Sequence, residues 1–104
     1  MEQLHIIKRT MEIKASGKNA ALATIIRTKG STPRKIGSKM IIFSSGRIEG
    51  TIGGGCGEAE VIEEAAEVIL TGIPTKYTVD LTKGLFYEDG GICGGIMELF
   101  IEPL

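Results

Sequence analysis

Tryptophan is absent from this chain of 104 residues, and histidine, cysteine and proline occur once, twice and three times. One histidine and two cysteines fall short of the four ligands of a closed structural zinc site. His5 lies beside Ile6 and Ile7 near the start of a helical pattern, where a packed or surface side chain is expected. No Ser-His-Asp or Cys-His catalytic group can be assembled around it. These absences argue against a structural zinc site and against hydrolytic catalysis.

Excess positive charge and long apolar runs are also missing. The net charge is −1, whereas a nucleic-acid-binding domain needs a marked basic excess. No stretch approaches the roughly 18 apolar residues of a membrane span. The first residues, MEQLHIIKRTMEIK, carry scattered charges and do not resemble a secretory signal. We therefore expect a cytoplasmic protein that binds neither nucleic acid nor membrane, in which a structural disulfide is not expected.

The length suits one domain, residues 1–104, and the periodicity predicts an α/β or α+β fold. Two helices and a mixed sheet of about five strands are expected. The helices run from Glu2 to about Lys14 and over 58–72, the second with Ile62, Ala65, Ala66 and Ile69 as its apolar stripe and Gly72 at its end. The strands are predicted at 20–28, twice within 39–52 around a turn at Ser44-Ser45-Gly46, at 75–81 and at 96–104.

Glycine is the one abundant residue type, with 15 copies, and nine of them form two clusters that each contain a cysteine. The clusters are 50-GTIGGGCG-57 and 90-GGICGG-95. The first stands between a strand and a helix, an arrangement that presents free backbone N–H groups to an anion such as phosphate. It is neither a Walker A loop nor the dinucleotide fingerprint, because the spacings differ.

Cys56 stands in the predicted first turn of the second helix, where the helix dipole is expected to lower the thiol pKa. A small apolar residue covering a tight turn is the alternative. Because Cys93 repeats the same surroundings, a shared site is a reasonable hypothesis. Such a site would serve either as a redox dithiol or as soft thiolates for a ligand that carries a thiophilic metal and a phosphate.

The segment 27-RTKGSTPRKIGSK-39 is a basic loop without acidic residues. Its five cations are Arg27, Lys29, Arg34, Lys35 and Lys39. Arginine binds phosphate or carboxylate in bidentate fashion, although a solvated loop would have the same composition. Glu98 and Glu102, on the last predicted strand, are expected to face solvent.

Three segments together resemble the N-terminal domain of the XdhC/CoxI family, the xanthine dehydrogenase accessory factors. They are 22-LATIIRTKGSTPRKIGSKM-40, 54-GGCGEAEV-61 and 93-CGGIMELFIEPL-104. The resemblance implies a chaperone that binds the molybdenum cofactor, as molybdopterin or its dinucleotide form, and is not a turnover enzyme. A cysteine desulfurase and a molybdenum hydroxylase client, such as xanthine dehydrogenase, are the implied partners.

Carried onto this chain, the resemblance implies a cofactor site in the basic loop and the two glycine clusters. The residues concerned are Ser31, Arg34, Lys39, Gly53, Gly54, Gly55, Cys56, Gly57, Glu58, Cys93, Gly94 and Gly95. Of these, Cys56 and Cys93 would approach the metal. A thiol-disulfide redox protein using the same cysteines and a docking module without cofactor remain alternative interpretations.

Two features depart from the family pattern. Gly57 replaces the usual valine after the cysteine, and is expected to loosen the start of the helix. The C-terminal Rossmann-like domain of the family would begin where this sequence ends, at Pro103-Leu104. We expect either a separate chain to provide that domain or a function without it, and a homodimer is expected for so small a domain.

Overall fold

The computed structural model describes residues 2–53, 55, 57–82 and 94–104. These residues form two helices and five strands, as the sequence predicts. The elements are α1 (Glu2–Ser16), β1 (Ala20–Lys29), β2 (Lys39–Phe43), β3 (Ile48–Gly50), α2 (Glu58–Thr71), β4 (Thr75–Asp80) and β5 (Ile96–Pro103). Neither helix in this described part is long and apolar enough to cross a membrane.

The five strands form one sheet in the order β3-β2-β1-β5-β4. Each of its four strand pairings is antiparallel, so the sheet is more regular than the mixed sheet expected from the sequence. Strands β3 and β4, which α2 connects, point in the same direction, as the two strands of a parallel pair do. They lie at opposite edges of the sheet, however, and α2 crosses over the sheet between them.

The helices cover opposite faces of the sheet, which gives a three-layer domain with two apolar layers. The larger layer lies between the sheet and α2, and it includes Val61, Ala65 and Val68 from the helix. The smaller layer lies under α1 and includes Ile6 and Ile13. Strand residues alternate between the two layers, as the two-residue period of a strand requires.

Helix α1 is apolar on two sides. The buried side carries Ile6 and Ile13, which are 3% and 1% exposed. The opposite side carries the stripe whose spacing predicts the helix, and that stripe is largely exposed, at 61% for Leu4, 43% for Ile7 and 67% for Met11. The helix is therefore confirmed, but the side that packs on the sheet is a different one.

An ion pair ties α1 to β3. The Arg9 guanidinium donates from Nε to Glu49 Oε1 at 2.8 Å and from Nη2 to Oε2 at 2.9 Å. This bidentate geometry lowers the pKa of the Glu49 carboxyl and raises the pKa of Arg9. The pair fixes α1 over the β2–β3 half of the sheet.

Helix α2 begins after Gly57 and ends before Gly72, both of which have a positive φ, of 78° and 72°. The Gly72 N–H donates to the Val68 carbonyl at 2.8 Å and closes the last turn. The predicted apolar stripe is shifted by about one residue: Ala65 is buried as expected, Ile62 and Ile69 are half-buried, and Ala66 is exposed. Residues on both flanks of the stripe share the contact because the helix packs against three strands, β1, β5 and β4.

Candidate functional site

Three connections carry almost all of the predicted site residues, and the topology brings them to one end of the sheet. Strands β1, β3 and β4 run in the same direction. In the sheet, β2 lies between β3 and β1, and β5 lies between β1 and β4, and each of these two strands is antiparallel to both of its neighbours. The chain therefore leaves all three strands at the same end. We call this the loop end: the segments 30–38, 51–57 and the described parts of 81–95. Lys39 and Glu58 stand directly at its border, as the first residues of β2 and α2.

Thr51, which is not among the predicted site residues, contacts two of the residues between β3 and the start of α2. Its hydroxyl donates to Glu58 Oε2 at 2.7 Å and accepts the Gly53 N–H at 3.0 Å. Gly53 is buried and Glu58 is half-buried. The sequence signal of this arrangement is a hydroxyl residue before the glycine run and a glutamate after it.

Gly57 is required by packing. It is buried, its φ is 78°, and a Cβ placed on it would lie 2.5 Å from Val79 Cγ1. No side-chain oxygen caps the start of α2 in the described part of the chain. The glycine thus fixes the start of the helix against β4, contrary to the expected loosening.

Gly55 differs from Gly57, because its main chain is open. It is exposed, its φ is 109°, and a Cβ placed on it would have no neighbour within 4 Å among the described residues. No side chain of the described residues therefore hinders the approach of a ligand to the backbone at this position.

The second glycine cluster contacts the basic loop. The Gly94 N–H donates to the Ser31 carbonyl at 3.3 Å, and the Leu81 N–H donates to the Gly95 carbonyl at 2.9 Å. A Cβ on Gly95 would lie 2.5 Å from the carbonyl oxygens of both Lys29 and Ser31, so only glycine fits there. Gly94 is exposed, and a Cβ placed on it would meet none of the described residues within 4 Å. The structure therefore brings Ser31, Gly94 and Gly95 together.

Backbone hydrogen bonds define the shape of the basic loop. At its neck, the Gly37 N–H donates to the Ile25 carbonyl at 2.7 Å, and the Ile25 N–H donates to the Ser38 carbonyl at 2.9 Å. The Thr32 hydroxyl donates to the Arg34 carbonyl at 2.9 Å. Arg34 is exposed at the tip of this loop, as is the neighbouring Lys35.

Lys39 is oriented differently from the loop cations. It is half-buried, and its Nζ donates to the Gly37 carbonyl at 3.3 Å. The same carbonyl accepts a hydrogen bond from the Gln3 side-chain amide of α1. Lys39 thus contributes to the neck of the loop as well as to its charge.

Gly54, Cys56 and Cys93 lie outside the described residues, so the thiol and metal assignments remain predictions. Among the residues that are described, no group of three or more histidine, cysteine, aspartate or glutamate side chains is arranged to hold a metal ion.

A small three-layer domain with a glycine-rich loop end and a basic loop beside it is thus defined, and comparison with known proteins identifies its family. The chain belongs to the XdhC and CoxI family, whose model matches residues 13–81. The N-terminal domain of that family is the part that corresponds, as the resemblance implied.

Three curated relatives are similar in sequence. They are the uncharacterized protein YqeB of Escherichia coli (37% identity over 82 residues, 79% of this chain), the molybdenum cofactor insertion chaperone PaoD of the same organism (36% over 67 residues, 64% of this chain) and a probable xanthine dehydrogenase subunit of Bacillus subtilis (32% over 87 residues, 82% of this chain). This chain spans 15%, 21% and 26% of their respective lengths.

The fold also matches a solved structure. The crystal structure of a xanthine dehydrogenase from Bacillus halodurans superposes with a TM-score of 0.80 and 26% identity. The match covers 99% of this chain and 30% of that one. The same domain is therefore found within much longer proteins.

Proposed function

We propose that this chain acts in molybdenum-cofactor maturation: it binds the cofactor at the loop end and supports its sulfuration and insertion into a molybdenum hydroxylase such as xanthine dehydrogenase. Membership of the XdhC and CoxI family supports the proposal. So do a relative named as a molybdenum cofactor insertion chaperone and another named as a probable xanthine dehydrogenase subunit.

The convergence of the three connections at the loop end is the observation that carries the proposal. The cofactor combines a phosphate with a soft metal–dithiolene end. Open main chain at Gly55 and Gly94 and the exposed cation of Arg34 suit the phosphate. Cys56 and Cys93 belong by sequence to the same connections, and we assign their thiolates to the metal end.

The other site residues have supporting roles in this proposal. Ser31, Gly53 and Gly95 hold the loops in place through the backbone contacts described above. Glu58 presents a carboxylate whose orientation is set by Thr51, at the start of α2. When bound, the cofactor supplies the molybdenum centre, and this chain positions and shields it until transfer.

The partners in the proposal are a cysteine desulfurase and the hydroxylase client, in the cytoplasm. A Rossmann-like domain is a further proposed partner, and a homodimer is proposed as the working form. The cofactor is proposed as molybdopterin or its dinucleotide.

Anaerobic binding of isolated molybdenum cofactor tests the proposal. We expect saturable binding by the wild-type protein, and weaker binding by Cys56→Ala, Cys93→Ala and Arg34→Gln. Lys18→Gln is the matched control, because Lys18 is an exposed cation at the opposite end of the sheet. Absence of cofactor binding by the folded wild-type protein would contradict the proposal, as would equal binding by all four variants.

The alternatives give different results in binding and redox measurements. A thiol-disulfide redox protein would form a reversible disulfide between Cys56 and Cys93 and would bind no cofactor. A docking module would bind a client protein with an affinity that Arg34→Gln and added phosphate leave unchanged.

A further inference from the structure

Among the described residues, helix α1 covers only one half of its face of the sheet. Helix α1 is fixed over β2 and β3 by the Arg9–Glu49 pair. Beyond it, on the same face, the end of β1 and the start of β5 border a depression of about 300 Å³. The residues around this depression are Arg27, Thr28, Lys29, Ile96 and Glu98. It adjoins the loop end, because Lys29 directly precedes Gly30, whose neighbours are Gly94 and Gly95.

A β-bulge places the cations on this face. In β1, Ile25 pairs with Leu99 and Arg27 pairs with Glu98, so Ile26 is the extra residue. Up to Ile25 the odd-numbered residues of β1 face α2, and without the bulge Arg27 and Lys29 would face α2 as well. The inserted residue turns both side chains to the open face, which is a common use of bulges beside functional sites.

The charges in the depression take no part in the ion pairs of the described residues. Arg27 and Lys29 are exposed, whereas Glu98, which was expected to face solvent, is half-buried. Arg27 stands directly opposite Glu98, yet the ion pairs within the described residues involve Arg9, Glu12, Arg47 and Glu49 and leave this pair out. The depression therefore presents two cations and one carboxylate around the apolar side chain of Ile96.

We propose that this depression is a phosphate-binding subsite for a small phosphorylated ligand that carries a hydrogen-bond donor beside its phosphate. The two cations supply charge-assisted donors to phosphate oxygens. The carboxylate of Glu98 repels a fully ionised phosphate, but it accepts a hydrogen bond from a neighbouring hydroxyl or N–H group of the ligand. Identification of this ligand with the molybdenum cofactor rests on the proposed function, whereas the subsite does not.

Titration of the full chain with inorganic phosphate, followed by ¹H–¹⁵N NMR, tests the inference. We expect saturable shifts at residues 27–29 and 96–98, and binding at least fivefold weaker in Arg27→Gln and in Lys29→Gln. Arg27→Lys keeps the charge and should recover part of the affinity. Glu98→Gln should bind inorganic phosphate severalfold more tightly, because it removes the repulsion.

Lys76→Gln is the matched control, since Lys76 is an exposed cation on the same sheet face, opposite Phe100 and outside the depression. A titration with acetate separates a phosphate subsite from a general anion site, and equal affinity for both would overturn the inference. It is also overturned if the wild-type shifts do not saturate, or if Arg27→Gln and Lys76→Gln behave alike. Because the probe is inorganic phosphate, failure of this inference and failure of cofactor binding are measured separately.

Discussion

The Thr51 hydroxyl donates a 2.7 Å hydrogen bond to the Glu58 carboxylate across the loop that leads from β3 into α2. The same oxygen accepts the Gly53 N–H at 3.0 Å, so one side chain is hydrogen-bonded both to Gly53 within the first glycine cluster and to Glu58 directly after it. Gly55 is exposed in this loop, and Thr51 fixes the positions of Gly53 and Glu58 relative to each other. A flexible loop loses all of its conformational freedom on binding, whereas a pre-organised loop has less of it to lose.

Replacement of Thr51 tests this role. Thr51→Val keeps the branched shape but removes both hydrogen bonds, and we expect the free energy of unfolding to fall by about 1–2 kcal/mol, since one acceptor is a half-buried carboxylate. Thr51→Ser retains the hydroxyl and should lose much less. Urea denaturation measures both, with Thr78→Val at an exposed strand position as the control. Equal losses of unfolding free energy in Thr51→Val and Thr51→Ser would show that the hydroxyl does not stabilise the fold.

Gly57 allows a second test, because two separate costs oppose any side chain there. A left-handed φ of 78° costs about 1–2 kcal/mol for a non-glycine residue, and the contact with Val79 adds overpacking of about 1–3 kcal/mol. We therefore expect Gly57→Ala to lower the free energy of unfolding by about 2–5 kcal/mol.

Two further variants separate these costs. Gly46→Ala, at a turn glycine with φ of 91° and open space around it, should show the backbone cost alone. Val79→Ala should cost less stability in Gly57→Ala than in the wild-type protein, because it removes the atom that the new methyl group meets. Equal destabilisation by Gly57→Ala and Gly46→Ala would contradict the packing argument.

The parts of the fold that depend on neighbouring residues could be predicted from the sequence, whereas the parts that depend on contacts between distant residues could not. Helix α2 and its end at Gly72 follow from periodicity and capping, which act within a few residues. The contact between Gly57 and Val79 joins residues from different elements, and the strand order that brings the three connections together is likewise not written in any short pattern. Residue types therefore indicated the candidate site, while its assembly and the role of Thr51 required the topology.

Helix α1 shows the same limit for a single element. Its two apolar sides have similar spacing, so periodicity predicts the helix without deciding which side is buried. Ile13, 1% exposed, packs on the sheet, whereas Met11 is 67% exposed. We expect Ile13→Ala to lower the free energy of unfolding by about 2–4 kcal/mol and Met11→Ala to change it by less than about 0.5 kcal/mol. Thermal or urea denaturation of the two variants checks this, and the reverse order would mean that α1 packs through its other side.

Tyr77 links β4 to α2 and provides a titration test. Its hydroxyl donates to Glu60 Oε1 at 2.7 Å, and this hydrogen bond to a carboxylate raises the pKa of Tyr77 to about 12. The chain has two tyrosines, so ultraviolet titration should resolve one ionisation near pH 12. Tyr77→Phe should remove that step, and Glu60→Gln should move it back toward the ordinary value of about 10.

The raised pKa of Tyr77 also predicts how the stability of the protein depends on pH. Because the pKa is higher in the folded protein than in the unfolded chain, the contribution of this hydrogen bond is complete below about pH 10 and is lost as the pH rises toward about 12. The stability difference between the wild-type protein and Tyr77→Phe should therefore be constant from pH 7 to about pH 9 and should shrink above about pH 10. Denaturation at pH 8 and pH 11 measures it, and a difference that stays constant over this range would show that the hydroxyl is not held by Glu60 in solution.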